Sequence, residues 1–524
     1  MGNLGAALRL TRAGWIMARE GVIAALPADG LDGLPALAHR VATVLAKSRA
    51  QGRDRSERLS RALNRLGPSY VKMGQFLATR PDVVGRDVAL DLAHLQDRMD
   101  FFPTDAARAA IAASLGRPVD DLFTRFEAPI AAASIAQVHR AAVSDEAGQH
   151  TVAVKVIRPK VRARFARDNE ALMLLSRLQE RYIEKSRRLR PVEVARTLER
   201  STKIEMDLRL EAAALSEMAD NTARDQGFRV PAVDWERTGR DVLTIEWIDG
   251  VKISDIEGLT AAGHDLHALA ASVIQHYLRH ALRDGFFHAD MHPGNLFVDA
   301  AGNIVAVDLG IAGRLGRKER RFLAEILYGF IRRDYRRVAQ VHFEAGYVPS
   351  THSVEDFAQA LRAIGEPIHG QSAATISMAK LLTLLFEVTE LFDMQTRPEL
   401  LLLQKTMVVA EGVARSLDPA FNMWKASEPV VGAWIADNLG PRGMVADARE
   451  GLHAMAALAR QAPEFKARAE RLSREIDSMS ENGLRFDADT AEAIGKAEAR
   501  HSRSGRVALW VIAICAVIAV WQLA

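Results

Sequence analysis

The sequence predicts an α+β fold of two lobes, with a helical extension in front of the smaller lobe and a helix-rich region behind the larger one. Three observations predict it. Val152-Ala-Val-Lys155-Val-Ile157 is a buried-strand pattern carrying one lysine. Asn295-Leu-Phe-Val298 and Ile304-Val-Ala-Val307 are β-prone runs joined by Asp299-Ala-Ala-Gly302, a hairpin signal. Long stretches on either side instead carry apolar residues at helical spacing.

Composition sets the outer bounds. A chain of 524 residues with 48% apolar side chains has room for two or three domains and a sizeable core. The 69 basic and 66 acidic residues leave a net charge of +3, which gives no footprint for nucleic acid. A lone cysteine, Cys515, excludes an internal disulfide framework and fits a reducing compartment. Arg9, Arg12 and Arg19 interrupt the N-terminal apolar residues, so no signal-peptide core is expected, and the bulk should be cytoplasmic. No internal repeat or low-complexity tract occurs.

Residues 1–100 read as a helical extension, with Leu4, Leu8 and Trp15 on one stripe and Leu59, Leu63 and Leu66 on another. Gly67-Pro68 punctuates a helix start, and Lys72 and Gln75 then share a helix face. Residues 101–250 form the strand-bearing lobe. Leu122–Phe126 reads as a strand, then Ala131–His139, then the strand of Lys155. A lysine set among Val and Ile is costly unless its ammonium meets an anion, so a phosphate or carboxylate is its expected partner. The turn before that strand has no glycine between Gly116 and Gly148 and is filled by alanine, which predicts a stiffer lid than a glycine-rich phosphate loop.

Residues 164–225 fit two long helices separated near Pro191. Glu205, Asp207 and Glu211 cannot all face one way on the second, and one of them should neutralise Lys155. Val242–Gly250 reads as a strand and hinge between the lobes, and Leu259–Arg283 as one amphipathic helix. The larger lobe spans 251–430. Asp290, Asn295 five positions on, and Asp308 thirteen beyond that have the spacing of a protein-kinase catalytic loop and its metal-binding Asp. In such a site the first Asp orients or deprotonates the attacking hydroxyl, while Asn and the second Asp give hard oxygen ligands to magnesium. A helical region covers 431–505, with Lys466–Arg474 a charged, solvated helix. Residues 506–524 form a single membrane anchor: the uncharged run 507–523 spans roughly 25 Å as a helix. Trp510 and Trp521 stand near its ends, and Arg500, Arg503 and Arg506 place the main body in the cytoplasm, at the inner membrane.

Lys72-Met-Gly74-Gln75, the alanine-rich Ala131–Ala136 loop, Glu205-Met-Asp207, and His288-Ala-Asp290 with His292-Pro-Gly-Asn295 and Asp308 come in the order found in the UbiB family of atypical kinases, also called AarF or ADCK. The chain resembles that family over roughly residues 1–420. The resemblance implies a protein-kinase-like fold whose Lys-x-Gly-Gln segment lies over the active site against the Glu-x-Asp pair, so that Lys72, Gln75, Glu205 and Asp207 are regulatory. It implies binding of ATP with Mg2+ and ATPase activity. Lys155 would contact phosphate, Glu211 would be its helix partner, Asp290 the catalytic Asp, and Asn295 and Asp308 the metal ligands. Ala131, Ala132, Ala133, Ser134, Ile135, Ala136 and Val138 of the flap, with Glu246 at the hinge, are the remaining nucleotide-binding candidates. The family supports ubiquinone biosynthesis at the membrane, giving soluble enzymes access to prenylated quinone precursors. Membrane lipid and those enzymes are thus the implied partners, and a homodimer stays open. A protein or small-molecule phosphotransferase and a nucleotide-binding scaffold are the alternatives. No flavin fingerprint or oxygenase metal triad supports a hydroxylase. Met291 stands where the family usually has proline, which should loosen the catalytic loop, and one membrane span is present where bacterial members often have two.

Overall fold

The computed structural model describes most of residues 3–440. Outside the described residues lie most of 26–53 and 79–98, together with 146–147, 183–186, 188–189, 371–386, 390, 395–397 and everything after 440. The expected 431–505 region beyond 440, the charged helix at 466–474 and the anchor at 507–523 therefore fall outside them. No helix among the described residues is long and apolar enough to cross a membrane.

The extension contains α1 (Asn3–Arg19), α2 (Arg55–Leu66) and α3 (Pro68–Ala78). Its core is made by Ile16, Ala62, Leu63, Leu66 and Val71. The expected Leu8–Trp15 stripe is instead the outward face of α1, with both side chains exposed; small residues such as Ala6 and Ala18 take the inner face because they allow close helix approach. Gly67 joins α2 to α3 at φ +103, a value that side chains with a Cβ rarely adopt.

The smaller lobe opens with a helix that the sequence reading missed, α4 (Thr104–Leu115), closed by left-handed Gly116. A helical turn, Val119–Leu122, takes part of the expected strand. Then come β1 (Arg125–Ala132), β2 (Ala136–Asp145) and β3 (Gly148–Ile157). With β5 (Val242–Glu246) they make an antiparallel sheet of order β1-β2-β3-β5. The inner faces of Val143, Val152, Val154 and Val156 pack on Ile111 of α4.

The stretch read as two helices is three: α5 (Val161–Tyr182), α6 (Pro191–Glu205) and α7 (Leu208–Thr222). The break falls between Glu205 and Leu208, where Asp207 leaves helical geometry to cap α7. Two further strands, β4 (Phe228–Arg229) and β5 (Val242–Glu246), lead to β6 (Gly250–Lys252). The single amphipathic helix expected over 259–283 is divided into α8 (Ile256–Ala261), α9 (Leu266–Arg279) and a π-helical turn (His280–Asp284). Gly263 at φ +81 ends the first, and Asp265 caps the second. Next are β7 (Phe286–His288), β8 (Leu296–Asp299), β9 (Ile304–Ala306) and β10 (Ala312–Arg314). The expected hairpin is present, with Val298 opposite Ile304 and Gly302 at φ +84 in its turn. Helices α10 (Arg317–Arg332), α11 (Tyr335–Glu344), α12 (Val354–Gly370), α13 (Pro398–Leu417) and α14 (Met423–Asn438) complete the described chain. One apolar core runs from Leu215 and Met218 of α7 through Tyr277 and Leu278 of α9 to Leu403, Ala410 and Val431 of α13 and α14.

Candidate active site

Strand β3 delivers Lys155 to the cleft, and α7 brings Glu211 up to it. The Lys155 Nζ donates to both Glu211 oxygens, at 2.8 and 3.0 Å, and to Asp308 Oδ2 at 3.0 Å. Burial works against the Lys155 charge, but the carboxylates of Asp308 and Glu211 overcome it and hold the ammonium above its ordinary value. With two acids on one cation, the environments split them. Glu211, with its side chain 6% exposed, is raised by burial, although Lys155 pulls the other way. Desolvation opposes the Asp308 charge as well, but Lys155 and the Gly310 N–H favour the charged form and hold it well below its usual value.

The hairpin fixes the other polar groups. Val307 N–H donates to the Asn295 carbonyl at 3.0 Å, so Asn295 sits at the end of β8 alongside the end of β9 and Asp308. Asn295 Nδ2 donates to the Asp290 carbonyl at 3.1 Å. That leaves the Asn295 amide oxygen as its side-chain acceptor. Asp308 Oδ1 accepts the Gly310 N–H at 2.9 Å, and its carboxylate keeps lone pairs beyond those two bonds. Two hard oxygen donors at neighbouring strand ends suit magnesium. Asp290 is partly open, and its N–H donates to Nδ1 of buried His288 at 3.2 Å. Met291 is buried, so the residue expected to loosen this loop anchors it in the core.

The alanine flap is a tight turn. Ala133 N–H donates to the Ala136 carbonyl at 2.8 Å, and Arg158 N–H to the Ile135 carbonyl at 2.7 Å. Ala131 and Ala132 finish β1, Ala133 leads the turn, and Ser134, Ile135 and Ala136 are buried beneath it. Val138 pairs with Lys155 across β2 and β3. Glu246 is engaged elsewhere: both of its oxygens accept from Arg229, at 2.9 and 3.0 Å, and Arg229 reaches on to Asp299 at 3.0 Å. Through Arg229 its carboxylate thus braces β4, β5 and β8.

On the other wall Lys72 of α3 pairs with Glu205, and Arg164 of α5 holds the Leu66 carbonyl just before Gly67, at 2.6 Å. Asp207 takes no part in that pair. It caps α7 and binds Arg209, whose hydrogen bonds lower its pKa. Gln75 lies one helical turn from Lys72 on α3 and is half-buried. The Lys72–Glu205 pair and the Lys155–Glu211 pair therefore stand on opposite sides of one helix break. Periodicity read across that break as a continuous helix could not separate the three acids.

Among the described residues, Asp225, His276 and His280 also bring three candidate metal-binding atoms within 4.8 Å. Arg283 takes both Asp225 oxygens, at 2.6 and 3.0 Å, and Arg279 donates to His276 Nδ1 at 3.1 Å. Two guanidiniums thus engage Asp225 and His276, and Asp225 ties the end of α7 to the turn ahead of β7.

A Lys–Glu pair under a small β-lobe, facing an Asp–Asn–Asp constellation on a hairpin, defines a kinase-like protein. The family comparison agrees: residues 94–342 match the ABC1 atypical kinase-like domain, and residues 361–422 match the UbiB helical domain. A protein named "Probable protein kinase UbiB" from Marinobacter nauticus is 40% identical over 396 residues, 75% of this chain and 72% of that one. Its namesake from Aeromonas hydrophila subsp. hydrophila is 38% identical over 441 residues, 83% of this chain and 80% of that one. The chain belongs to the UbiB family of atypical kinases. A solved structure, of Rv3197 with erythromycin from Mycobacterium tuberculosis, shares the fold at a TM-score of 0.50 and 22% identity, covering 72% of this chain and 97% of that one.

Proposed function

We propose that this protein binds ATP with Mg2+ in the cleft between β3 and the β8–β9 hairpin, and hydrolyses it in support of ubiquinone biosynthesis at the membrane. The observation that carries the reading is the Lys155 ammonium shared between Glu211 and Asp308, next to Asn295 and Asp290. Lys155 is positioned to meet phosphate oxygens, and Glu211 orients it. Asn295 and Asp308 would hold magnesium, which neutralises phosphate charge when bound. Asp290 orients the attacking oxygen and accepts its proton. Lys72, paired to Glu205, keeps α3 across this wall and hinders a bulky protein substrate, with Gln75 on the same helix. The glycine-free flap holds its backbone in a closed turn, so transfer to water or a small acceptor fits better than transfer to a protein.

The run 507–523 serves as a single-pass anchor in the inner membrane, with prenylated quinone precursors as the lipids handled and the biosynthetic enzymes as partners. Purified protein should hydrolyse ATP only with magnesium, and more strongly with anionic lipid or a phenolic precursor, and Asp308→Asn should abolish this. Equal turnover by wild type and variant would refute the site. A strain lacking the gene should accumulate precursors, and normal ubiquinone would remove the pathway. Transfer to another acceptor would show as labelled γ-phosphate on a protein or metabolite.

A further inference from the structure

The backbone around Asp290 is held by four hydrogen bonds. Asp290 N–H donates to His288 Nδ1 at 3.2 Å, and Asn295 Nδ2 donates to the Asp290 carbonyl at 3.1 Å. Ala289 N–H donates to the Ile311 carbonyl at 3.0 Å. All of these partners belong to the kinase-like domain, residues 94–342. The fourth comes from outside it: Thr406 Oγ1, on α13 of the helical domain at 361–422, donates to the Ala289 carbonyl at 2.9 Å.

Thr406 is 1% exposed, on the buried face of α13 with Leu403 and Ala410. A buried helix threonine often satisfies itself by donating back one turn, and the Leu402 carbonyl does lie 2.8 Å from the hydroxyl. That carbonyl, however, belongs to the helix ladder and already has an amide donor one turn on. The Ala289 carbonyl sits in the loop after β7, with no ladder to draw on, in a place closed to water. The neighbouring contacts between these helices and the kinase-like domain run to the scaffold: Tyr277 Oη to the Leu403 carbonyl at 2.8 Å, and Trp434 Nε1 to the Leu282 carbonyl at 2.9 Å. Thr406 alone among these three reaches the residue before the catalytic Asp.

We propose that Thr406 is a positioning residue for Asp290, and that the helical domain acts on the catalytic loop through this hydroxyl. Whatever shifts α13 along its axis then changes the aim of Asp290 without touching the nucleotide. This rests on the reading of Asp290 as the catalytic-loop Asp, so the test carries a readout that does not need turnover.

Full-length protein in detergent is compared as wild type, Thr406→Val and Thr406→Ser. Misplacement of a catalytic group by an ångström or less costs one to two powers of ten in rate, so Thr406→Val should lower kcat about tenfold and leave KM for ATP within about twofold. Thr406→Ser, which keeps the hydroxyl, should stay within about twofold of wild type in both. Amide exchange over 286–295 should speed up about tenfold in Thr406→Val, with β2 and β3 unchanged. If Thr406→Val melts far below wild type, Thr406→Ala takes its place in the same readouts. Wild-type exchange and turnover in the valine variant would overturn the proposal, as would a serine variant as slow as the valine one. If the wild type itself does not hydrolyse ATP, the proposed function fails, and the exchange measurement alone decides the role of Thr406.

Discussion

Replacing Lys155 by methionine removes the one cation between two acids and leaves the shape of the strand nearly unchanged. The ammonium makes hydrogen bonds of 2.8 and 3.0 Å to Glu211 and 3.0 Å to Asp308, and the side chains of Lys155 and Glu211 are only 17% and 6% exposed. Taking one partner from a buried ion pair costs about 3–5 kcal/mol, because the other charge stays buried and uncompensated. Part of this is recovered by protonation, at about 1.4 kcal/mol for each unit of pKa shift. Burial already raises the Glu211 carboxyl, and loss of Lys155 raises it further. A folded-state acid pKa above the unfolded one means that the folded protein holds a proton the unfolded chain releases, so stability falls as pH rises through that interval. The Lys155→Met deficit should therefore be smaller at pH 6 and approach its full size at pH 9. Lys155→Met combined with Glu211→Gln should recover most of the loss, since the amide carries no charge. Urea denaturation in mild detergent at both pH values measures this. A single variant as stable as wild type at pH 9, or a double variant no better than the single, would refute the electrostatic account of this pair.

Gly67→Ala should loosen the extension, because the new methyl would collide with the Arg164 guanidinium at a position held at φ +103, displacing Arg164 from the Leu66 carbonyl. Faster proteolysis of 55–78 than in wild type checks this, and unchanged cleavage would contradict it. Lys72→Met should leave Glu205 half-buried without its cation and raise amide exchange in α3 several-fold. Exchange as slow as in wild type would contradict a role for the Lys72–Glu205 pair in holding α3. Burial lowers His342 from 6.5 to about 4, so the unfolded chain binds more protons in that window, and stability should fall as pH drops through it. The slope is on the order of 1.4 kcal/mol per pH unit for this one group, and His342→Phe, which keeps a ring beside Phe357, should flatten it. Parallel wild-type and variant curves would assign the acid sensitivity elsewhere.

The chemistry-bearing strands were legible because their signals are local. A lysine inside a valine strand demands an anion, and the 299–302 turn with its two flanking runs can form little else but a hairpin. The acids at 205, 207 and 211 were less so. They looked like one helix because Met206 and Asp207 have no strong helix-breaking character, and only the tertiary position of α7 under β3 separates the Lys72 pair from the Lys155 pair. The outward face of α1 misled for a related reason: Leu8 and Trp15 mark an apolar stripe, yet Ala6 and Ala18 win the buried side by letting helices approach closely. Glu246 looked available at a hinge, but Arg229, seventeen residues before it in sequence and adjacent in space, claims its carboxylate. Thr406 carried one faint sign, a hydroxyl among the leucines and valines of α13, and its partner 117 residues away could not be named from sequence.

Asn295 and Asp308 should serve one magnesium on a bound nucleotide. Calorimetric titration of ATP into full-length protein, with and without magnesium, tests this most directly across wild type, Asn295→Ala and Asp308→Asn. Magnesium should tighten ATP binding to wild type at least tenfold, and either substitution should remove most of that gain while leaving magnesium-free binding within about twofold. An Asp308→Asn protein that still gains as much from magnesium as wild type would contradict the claim.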